Sequence, residues 1–257
     1  MTGLARLAPV GLDELIEVAG LQTRIDRKYA LSTGDLAMVV DLLPTGTRVL
    51  DIAGSRGFGY ASVYFDTPEL LSYHQAAYRR RRRFKVRTRT YLSSGEEVLE
   101  VKTRTGEATV KDRLPGRHTE DGRLTSVGAD FVCRALAPAG IDTSPIGQLA
   151  PVLTTAYRRS TLLLPEAAGR VTVDTDLTWV DAAGPTLTRP ELAIIETKAA
   201  RQATDVDRLL WSLGIRPARV SKFATGLATL RPTLPANRWA RTQRRFFAAA
   251  APAPTFC

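Results

Sequence analysis

The sequence predicts a mixed α and β fold dominated by β-structure, a closed antiparallel barrel of eight strands with peripheral helices. Three observations predict this fold. Short runs of alternating apolar and polar residues recur along the chain, and turn residues separate them. Most of these runs carry lysine or arginine on one parity. The 257 residues, 44% of them hydrophobic, can form one large domain with a buried core. Closure of a barrel would remove the exposed edges that such a sheet otherwise presents.

The first third of the chain alternates helices and strands. Leu12, Leu15 and Ile16 have helical spacing, and Ser32-Thr33 can cap a second helix. Asp66-Thr67-Pro68 ends the last strand of this part and starts a short helical turn. The predicted elements are a helix over residues 9–20, a strand over 22–31, a helix over 32–43, and strands over 47–53 and 59–66.

The remainder reads as a hairpin meander, a helix, three longer strands and further helical segments. Ser-Ser-Gly and Thr-Gly turns separate the strands of the meander. The predicted strands cover 83–92, 97–105, 108–114, 151–164, 169–180 and 191–198, and the helices cover 124–139, a segment around 206–213 and a turn from Lys222.

Residues 79–89 hold eight basic residues among eleven. Successive side chains of a strand point to opposite faces, so Arg83, Lys85, Arg87 and Arg89 share one face. For one strand alone, a solvated charged face is the commoner arrangement.

Other predicted strands repeat this cationic parity. The same-parity residues are Arg24, Asp26 and Lys28; Glu100, Lys102 and Arg104; Lys111 and Arg113; Arg170, Thr172 and Asp174; and Glu196 and Lys198. The simplest account is one shared cationic interior, with the apolar parity packed against helices. Because buried like charges repel and lose hydration, such an interior needs a polyanion or interleaved carboxylates. Triphosphate or polyphosphate meets that need, since arginine binds phosphate oxygens bidentately.

The charge balance also indicates a polyanionic partner. The chain has 36 lysines and arginines against 26 aspartates and glutamates, a formal net charge of +10. Aromatic residues do not alternate with the basic stretches as stacking platforms would, which disfavours specific nucleic-acid binding. Two cysteines, Cys133 and Cys257, indicate a reducing compartment, and no targeting or membrane-spanning segment is evident, so we expect a cytoplasmic protein.

At this point the residues resemble a known family, the VTC-domain polyphosphate polymerases within the triphosphate tunnel metalloenzymes. Nine segments occur in the family's order over about residues 20–231. They are RIDRKY (24–29), SVYFDT (62–67), KVRTRTY (85–91), LEVK (99–102), TVKDR (109–113), AYRRS (156–160), RVTVDTDL (170–177), IIETK (194–198) and RVSKFATG (219–226).

The resemblance implies an eight-stranded tunnel with basic residues inside and a divalent metal, Mn²⁺ or Mg²⁺. The residues expected in catalysis are Lys28, Arg87, Arg89, Lys102 and Glu196. Those expected to bind substrate are Arg83, Lys85, Lys111, Arg159, Arg170, Lys198, Arg219 and Lys222. Glu196 matches the family's metal-binding glutamate, with Asp26 and Glu100 as further oxygen ligands. Pairing of Asp26 and Glu100 with neighbouring cations is the alternative for these two carboxylates.

The sequence departs from the family pattern at three places. Asp26 stands where a glutamate is usual, and Arg219 stands at a position usually occupied by lysine. AYRRS leaves open whether Arg158 or Arg159 points inward. The tyrosines Tyr29, Tyr64 and Tyr91 fit core or wall positions better than catalytic ones.

The expected organisation is an N-terminal helix (1–20), the tunnel domain (21–231) and a basic Pro/Ala-rich C-terminal tail (232–257). The tail is expected to be an appendage, either a solubilising tail or a dock for a separate membrane protein. The expected activity is transfer of the γ-phosphate of ATP to a growing polyphosphate with release of ADP. The alternatives are an inorganic or nucleoside triphosphatase of the same fold, and a non-catalytic polyphosphate or nucleic-acid binder.

Overall fold

The structure is a computed structural model that describes residues 2–19, 25–106, 108–165, 169–199 and 202–248. Arg24 of the first motif lies outside these ranges. The strands are β1 (Ala8–Val10), β2 (Ile25–Ser32), β3 (Arg48–Leu50), β4 (Phe58–Asp66), β5 (Arg82–Tyr91), β6 (Glu97–Thr105), β7 (Ala108–Pro115), β8 (Thr119–Glu120), β9 (Arg123–Leu124), β10 (Ala150–Leu163), β11 (Arg170–Asp181), β12 (Thr186–Arg189) and β13 (Leu192–Ala199).

The helices surround this sheet and lie between its strands. They are α1 (Leu12–Ala19), α2 (Thr33–Asp41), α3 (Leu71–Ala77), α4 (Ser126–Leu136), α5 (Asp205–Ser212), α6 (Lys222–Leu230) and α7 (Ala240–Phe246), with short 3-10 helices at Thr2–Arg6, Ala137–Ala139 and Ser144–Gln148. Within the described ranges, no helix is long and apolar enough to cross a lipid bilayer.

Eight long strands form the main path of the sheet, in the order β2-β13-β11-β10-β4-β5-β6-β7. Every neighbouring pair on this path is antiparallel. Residues opposite each other therefore share a face, as Lys28 and Glu196 do across β2 and β13. The β-dominated antiparallel architecture with peripheral helices is confirmed.

The sheet is strongly curled, but its closure differs from the expectation. Side chains from β2 and β7, the two ends of the path, line the same cavity. However, no strand ladder joins β2 to β7 among the described residues. The backbone of β2 instead accepts a hydrogen bond at Lys28 O from Ala218 N at 2.7 Å. The segment before α6 thus occupies this edge, and the described sheet is an open, curled half-barrel.

The outer face of the sheet is apolar, as the alternation predicts. Phe84 and Val86 of β5 pack with Leu99 and Val101 of β6 beneath α4. A second cluster joins β2, β11 and β13 to α2 and α5. Burial of this face supplies hydrophobic stabilisation on both flanks of the sheet.

The interior is divided into two regions, which the sequence did not predict. Near the end of β2, the inward parity changes from Asp26 and Lys28 to Ala30, and on β13 it changes from Glu196 to Ile194. Helix α6 fills this end of the interior with apolar side chains. The cluster comprises Ala30, Tyr64, Tyr157, Leu177, Trp179, Leu192, Ile194, Phe223, Ala224 and Leu227, with further residues around them. The expectation of a wholly cationic interior was therefore wrong for this half.

Candidate functional site

The other half of the interior is a cavity of about 220 Å³ lined by side chains from all eight strands of the main path. We call it the cationic cavity. Its lining is Asp26, Lys28, Tyr64, Lys85, Arg87, Arg89, Glu100, Lys102, Lys111, Arg113, Tyr157, Arg159, Arg170, Glu196, Lys198, Ser221 and Lys222. Lysine and arginine dominate this lining, and three carboxylates interrupt it.

Strand register places the cations in rows. Lys85, Lys102 and Lys111 lie opposite one another on β5, β6 and β7. Like charges that face each other across strands are destabilising. Burial lowers the pKa of Lys85 well below its usual value, and the neighbouring Lys28, Lys102 and Arg87 lower it further. This row therefore favours any ligand that brings negative charge.

Glu100 occupies the centre of the next row. Arg87 Nε donates to Glu100 Oε2 at 2.7 Å, Lys111 pairs with Oε1, and Arg113 Nε lies 3.3 Å from Oε1. Burial alone would raise the pKa of Glu100, but Arg87, Arg89 and Lys111 outweigh burial and hold the pKa well below its usual range. Glu100 thus stays ionised and fixes the positions of three cations.

Asp174 performs the same task on the opposite wall. Arg159 donates to both carboxylate oxygens, from Nε at 2.6 Å and from Nη2 at 2.9 Å, and Lys222 pairs with Oδ2. The side chain of Asp174 is 1% exposed. Burial would raise the pKa of Asp174, yet Arg159 and Lys222 keep it well below the usual value. Such a bidentate pair sets the orientation of the Arg159 guanidinium.

Glu196 lies between two lysines at the β2 side of the cavity. Lys198 Nζ is 2.9 Å from Glu196 Oε2, and Lys28 Nζ is 4.0 Å from Oε1. Burial would raise the pKa of Glu196, but Lys28, Lys198 and Arg159 lower it well below its usual value. Since 4.0 Å exceeds hydrogen-bond distance, Oε1 is the less engaged oxygen of this carboxylate.

The lysines near these carboxylates have lowered pKa values. Burial lowers the pKa of Lys198 to about 8, although Glu196 partly offsets this effect. Burial likewise lowers the pKa of Lys111 to about 7, together with Arg87 and Arg113 and against Glu100. Without a bound anion, the cavity therefore holds its charge at an energetic cost.

Helix α6 places Lys222 at the boundary between the two halves of the interior. Ser221 caps the helix, and Trp179 Nε1 donates to Lys222 O at 2.8 Å. Gly226 packs directly on Trp179: a Cβ there would lie 2.2 Å from the ring atom Cδ1. The close approach requires glycine at this position, and it fixes where the amino group of Lys222 enters the cavity.

Comparison with protein families decides the identity of this fold. The model of the VTC domain matches residues 23–231, most of the chain. This chain belongs to the VTC domain family. The match confirms the resemblance derived from the nine motifs, and the curled sheet with its cationic cavity lies almost wholly inside the matched residues.

One solved structure shares the fold of this VTC domain at low sequence identity, and a second is similar over most of the chain. A putative adenylate cyclase from Bacillus halodurans is 16% identical, with a TM-score of 0.51 over 77% of this chain and 94% of that one. A putative adenylyl cyclase from Hippeastrum, described as revealing a dominant triphosphatase activity, is 16% identical with a TM-score of 0.49 over 84% and 100%. A search of curated proteins finds no match.

The structure resolves the Arg158/Arg159 alternative in this VTC domain. Arg159 lines the cavity, whereas Arg158 is exposed and lies beside Gly57. Tyr157 and Arg159 are two residues apart on β10 and both line the cavity, so this part of β10 keeps its alternation. The register shift opposite Ala156 and Arg158 places an extra residue in β11, between Thr175 and Thr178.

Most expected site residues meet in the cationic cavity, and two do not. Lys28, Lys85, Arg87, Arg89, Lys102, Lys111, Arg159, Arg170, Lys198, Lys222, Asp26, Glu100 and Glu196 line it. Arg83 and Arg219 instead line a neighbouring cavity. Arg83 lies near the start of β5, two residues before Lys85. This position places it outside the cationic cavity.

Three contributors were missing from the expected site of this VTC domain. Alternation had placed Asp174 on the parity of Arg170 and Arg113 on that of Lys111, but neither was among the expected site residues. Ser221, which accepts a hydrogen bond from Lys85 Nζ at 2.9 Å, had no such signal because it precedes a helix. Tyr64 and Tyr157 form walls, and Tyr157 lies beneath Lys222 Nζ at 4.4 Å from its ring centroid.

Proposed function

We propose that this VTC domain is a metal-dependent polyphosphate polymerase, which transfers the γ-phosphate of ATP to the end of a polyphosphate chain. The observation that carries the proposal is the cationic cavity, where lysines and arginines from seven strands and helix α6 outnumber three carboxylates. A cavity of about 220 Å³ has room for a short run of phosphates.

The cations have distinct tasks in this proposal. Arg87 and Arg159 are each oriented by a carboxylate, so their remaining N–H groups form prearranged donors for phosphate oxygens. Arg89 is held by Tyr157, since its Nη2 donates to the tyrosine hydroxyl at 3.0 Å. Lys28 and Lys102 act as mobile point charges beside Glu196. Together they would neutralise the charge of the transferring phosphoryl group.

The reaction needs little acid–base chemistry. An oxygen of the terminal phosphate of the chain attacks the γ-phosphorus of ATP, and the bond to the β–γ bridging oxygen breaks. The electron pair of that bond passes to the leaving ADP. The terminal phosphate is largely deprotonated at neutral pH, with a second pKa of about 6, so it needs no strong general base. Neither His74 nor His118 lines the cavity.

Membership in the tunnel metalloenzymes implies a divalent cation, and we assign Mn²⁺ or Mg²⁺ to Glu196 with Asp26. In the described residues, no three acidic, histidine or cysteine side chains form a protein-only metal site. That fits a cation held by one or two carboxylates and by substrate phosphates. Glu100 fits the metal poorly because three cations already surround it. The metal would polarise the phosphoryl oxygens of bound ATP.

A triphosphatase is the second candidate. Asp26 lies at the start of β2, where it is exposed, and it lines the cavity. A water molecule there could attack a bound triphosphate in place of a phosphate chain. Glu100 is a poor base for that water, since its pKa is held low by Arg87, Arg89 and Lys111 against the effect of burial.

We place the reaction in the cytoplasm, where a separate membrane protein could receive the product.

Product analysis tests the assignment. We expect purified protein with ATP and Mn²⁺ to form long polyphosphate and ADP; orthophosphate without polyphosphate would support the triphosphatase instead. Glu196→Ala should abolish turnover and leave the fold intact. Glu191→Ala is the matched control, since the side chain of Glu191 is 66% exposed and lies outside the cavity. Normal turnover by Glu196→Ala would overturn the site assignment.

A further inference from the structure

A second cavity, of about 410 Å³, adjoins the cationic cavity at one end of the sheet. We call it the mouth cavity. It lies where β5 and β7 begin and β6 ends, and it shares Lys28, Lys85 and Lys102 with the cationic cavity. A ligand that leaves the cationic cavity past these lysines therefore enters the mouth cavity.

Five arginines line the mouth cavity. Arg27 pairs with Asp207 at 3.5 Å, and the other four are Arg83, Arg104, Arg219 and Arg238. Backbone carbonyls hold three of them, since Arg83 donates to Arg80 O, Arg104 to Gly106 O and Arg238 to Ala76 O, at 2.7–3.0 Å. None of the four forms an ion pair with a carboxylate within the described part of the chain. The carboxylate of Asp26 also lines the mouth cavity, but the lysines and arginines there outnumber it.

Burial and mutual repulsion lower the pKa values of two of these arginines. Burial lowers the pKa of Arg238, and Arg83, Arg79, Arg219 and Arg104 lower it further. Burial and Arg104 likewise lower the pKa of Arg83. The cluster is thus a positive region that the fold positions but does not neutralise.

The wall that carries Arg238 comes from residues 232–248, which lie beyond the match to the VTC domain. This segment is packed against the domain. Trp239 and Phe247 are 3% and 1% exposed, and Phe247 packs on Trp179 with ring centroids 5.2 Å apart. Thr242 Oγ1 also donates to Arg219 O at 3.1 Å. The segment therefore holds both Arg219 and Arg238 in place.

The same segment extends the positive region outward. A cleft of about 370 Å³ is lined by Arg216, Arg219, Arg238, Arg241 and Arg245. Arg219 and Arg238 border both this cleft and the mouth cavity. Three concave sites with cationic walls thus follow one another from the interior to the surface.

We infer that residues 232–248 complete an outer anion site, in which Arg104, Arg219 and Arg238 bind the phosphates of a polyphosphate chain whose end occupies the cationic cavity. The inference rests on the proposed function. Concave walls suit a narrow chain better than a flat membrane surface. Nucleic acid is disfavoured because Trp239, the tryptophan of this site, is buried against Tyr73 and offers no stacking surface.

The test compares affinities for tripolyphosphate and for a polyphosphate chain several times longer, measured by titration calorimetry at fixed salt. Wild-type protein should bind the longer chain more tightly. Arg238→Gln should reduce affinity for the longer chain by about tenfold, the loss expected for one charge-assisted hydrogen bond, with a much smaller effect on tripolyphosphate. Arg104→Gln tests the opposite wall of the mouth cavity, should Arg238→Gln impair folding.

Arg244→Gln is the matched control, because Arg244 is an exposed arginine of α7 that lines neither the mouth cavity nor the cleft. It should change neither affinity. Equal losses for both ligands, or no loss for the longer chain, would overturn the outer site. Binding of anionic vesicles that depends on Arg238, without any preference for chain length, would also overturn it. Failure of wild-type protein to bind tripolyphosphate would instead refute the proposed function.

Discussion

The two halves of the interior are built from the same strands but by opposite means. Around α6, inward residues such as Ile194 and Phe223 are apolar and buried. A few residues along the same strands, Glu196 and Arg159 face a cavity held by ion pairs. The apolar half stabilises the fold by burial of hydrophobic surface, whereas the cationic half loses free energy through desolvation and repulsion. The apolar half therefore stabilises the fold, and the charges of the cationic half are compensated only when a polyanion binds.

The largest effect is expected in the apolar half. Phe223→Ala removes a ring that is 1% exposed and packs on Tyr64 with centroids 5.0 Å apart. We expect a loss of about 3–5 kcal/mol in the free energy of unfolding. Chemical denaturation measures it. Saturating tripolyphosphate should leave this difference from wild type unchanged, provided that the two halves contribute independently.

The cationic half should respond differently to loss of a carboxylate. Asp174→Asn leaves Arg159 and Lys222 without their shared partner, and breaking a buried pair costs about 3 kcal/mol. Tripolyphosphate should recover part of this loss, because phosphate oxygens can replace the carboxylate. The same denaturation experiment, with and without ligand, measures the recovery. If the ligand does not reduce the difference in unfolding free energy between the variant and wild type, Asp174 has only a structural role.

Removal of an interior cation should instead increase the stability of the ligand-free protein. Lys85→Met keeps a long side chain and relieves repulsion from Lys28 and Lys102. We expect the ligand-free protein to gain about 1 kcal/mol, while affinity for tripolyphosphate falls. Thermal melting and calorimetry measure the two changes. A variant that loses stability and binds normally would contradict the assignment of a costly cationic half.

The smallest effect concerns pH. In the unfolded chain the pKa of lysine is about 10.4, whereas burial lowers that of Lys111 to about 7 in the fold. Above about pH 7 the folded state therefore binds fewer protons than the unfolded state, so stability of the ligand-free protein rises with pH in this range. A bound polyanion favours protonated Lys111, so the increase in Tm caused by tripolyphosphate should shrink as pH rises. Lys111→Met should weaken this dependence.

The sequence predicted which side chains line the cavity better than it predicted whether the sheet closes into a barrel. Alternation put Arg87 of β5 and Glu100 of β6 on the faces that line the cavity, because regular strands keep a period of two. An extra residue in β11 interrupts that period, so the inward parity of this strand changes between Asp174 and Leu177. Sheet closure and the packing of Trp239 depend on contacts between distant segments. The apolar half was not predicted because Ile194 belongs to a continuous apolar run. Hydrophobicity does not distinguish the inward from the outward side chains of such a run.

The central claim is that the cationic half of the interior binds a chain of phosphates. Titration of tripolyphosphate into ligand-free protein tests it most directly. We predict that one molecule binds per chain, that affinity falls as the salt concentration rises, and that Arg87→Ala weakens binding. A titration without binding, or binding that Arg87→Ala leaves unchanged, would contradict the account.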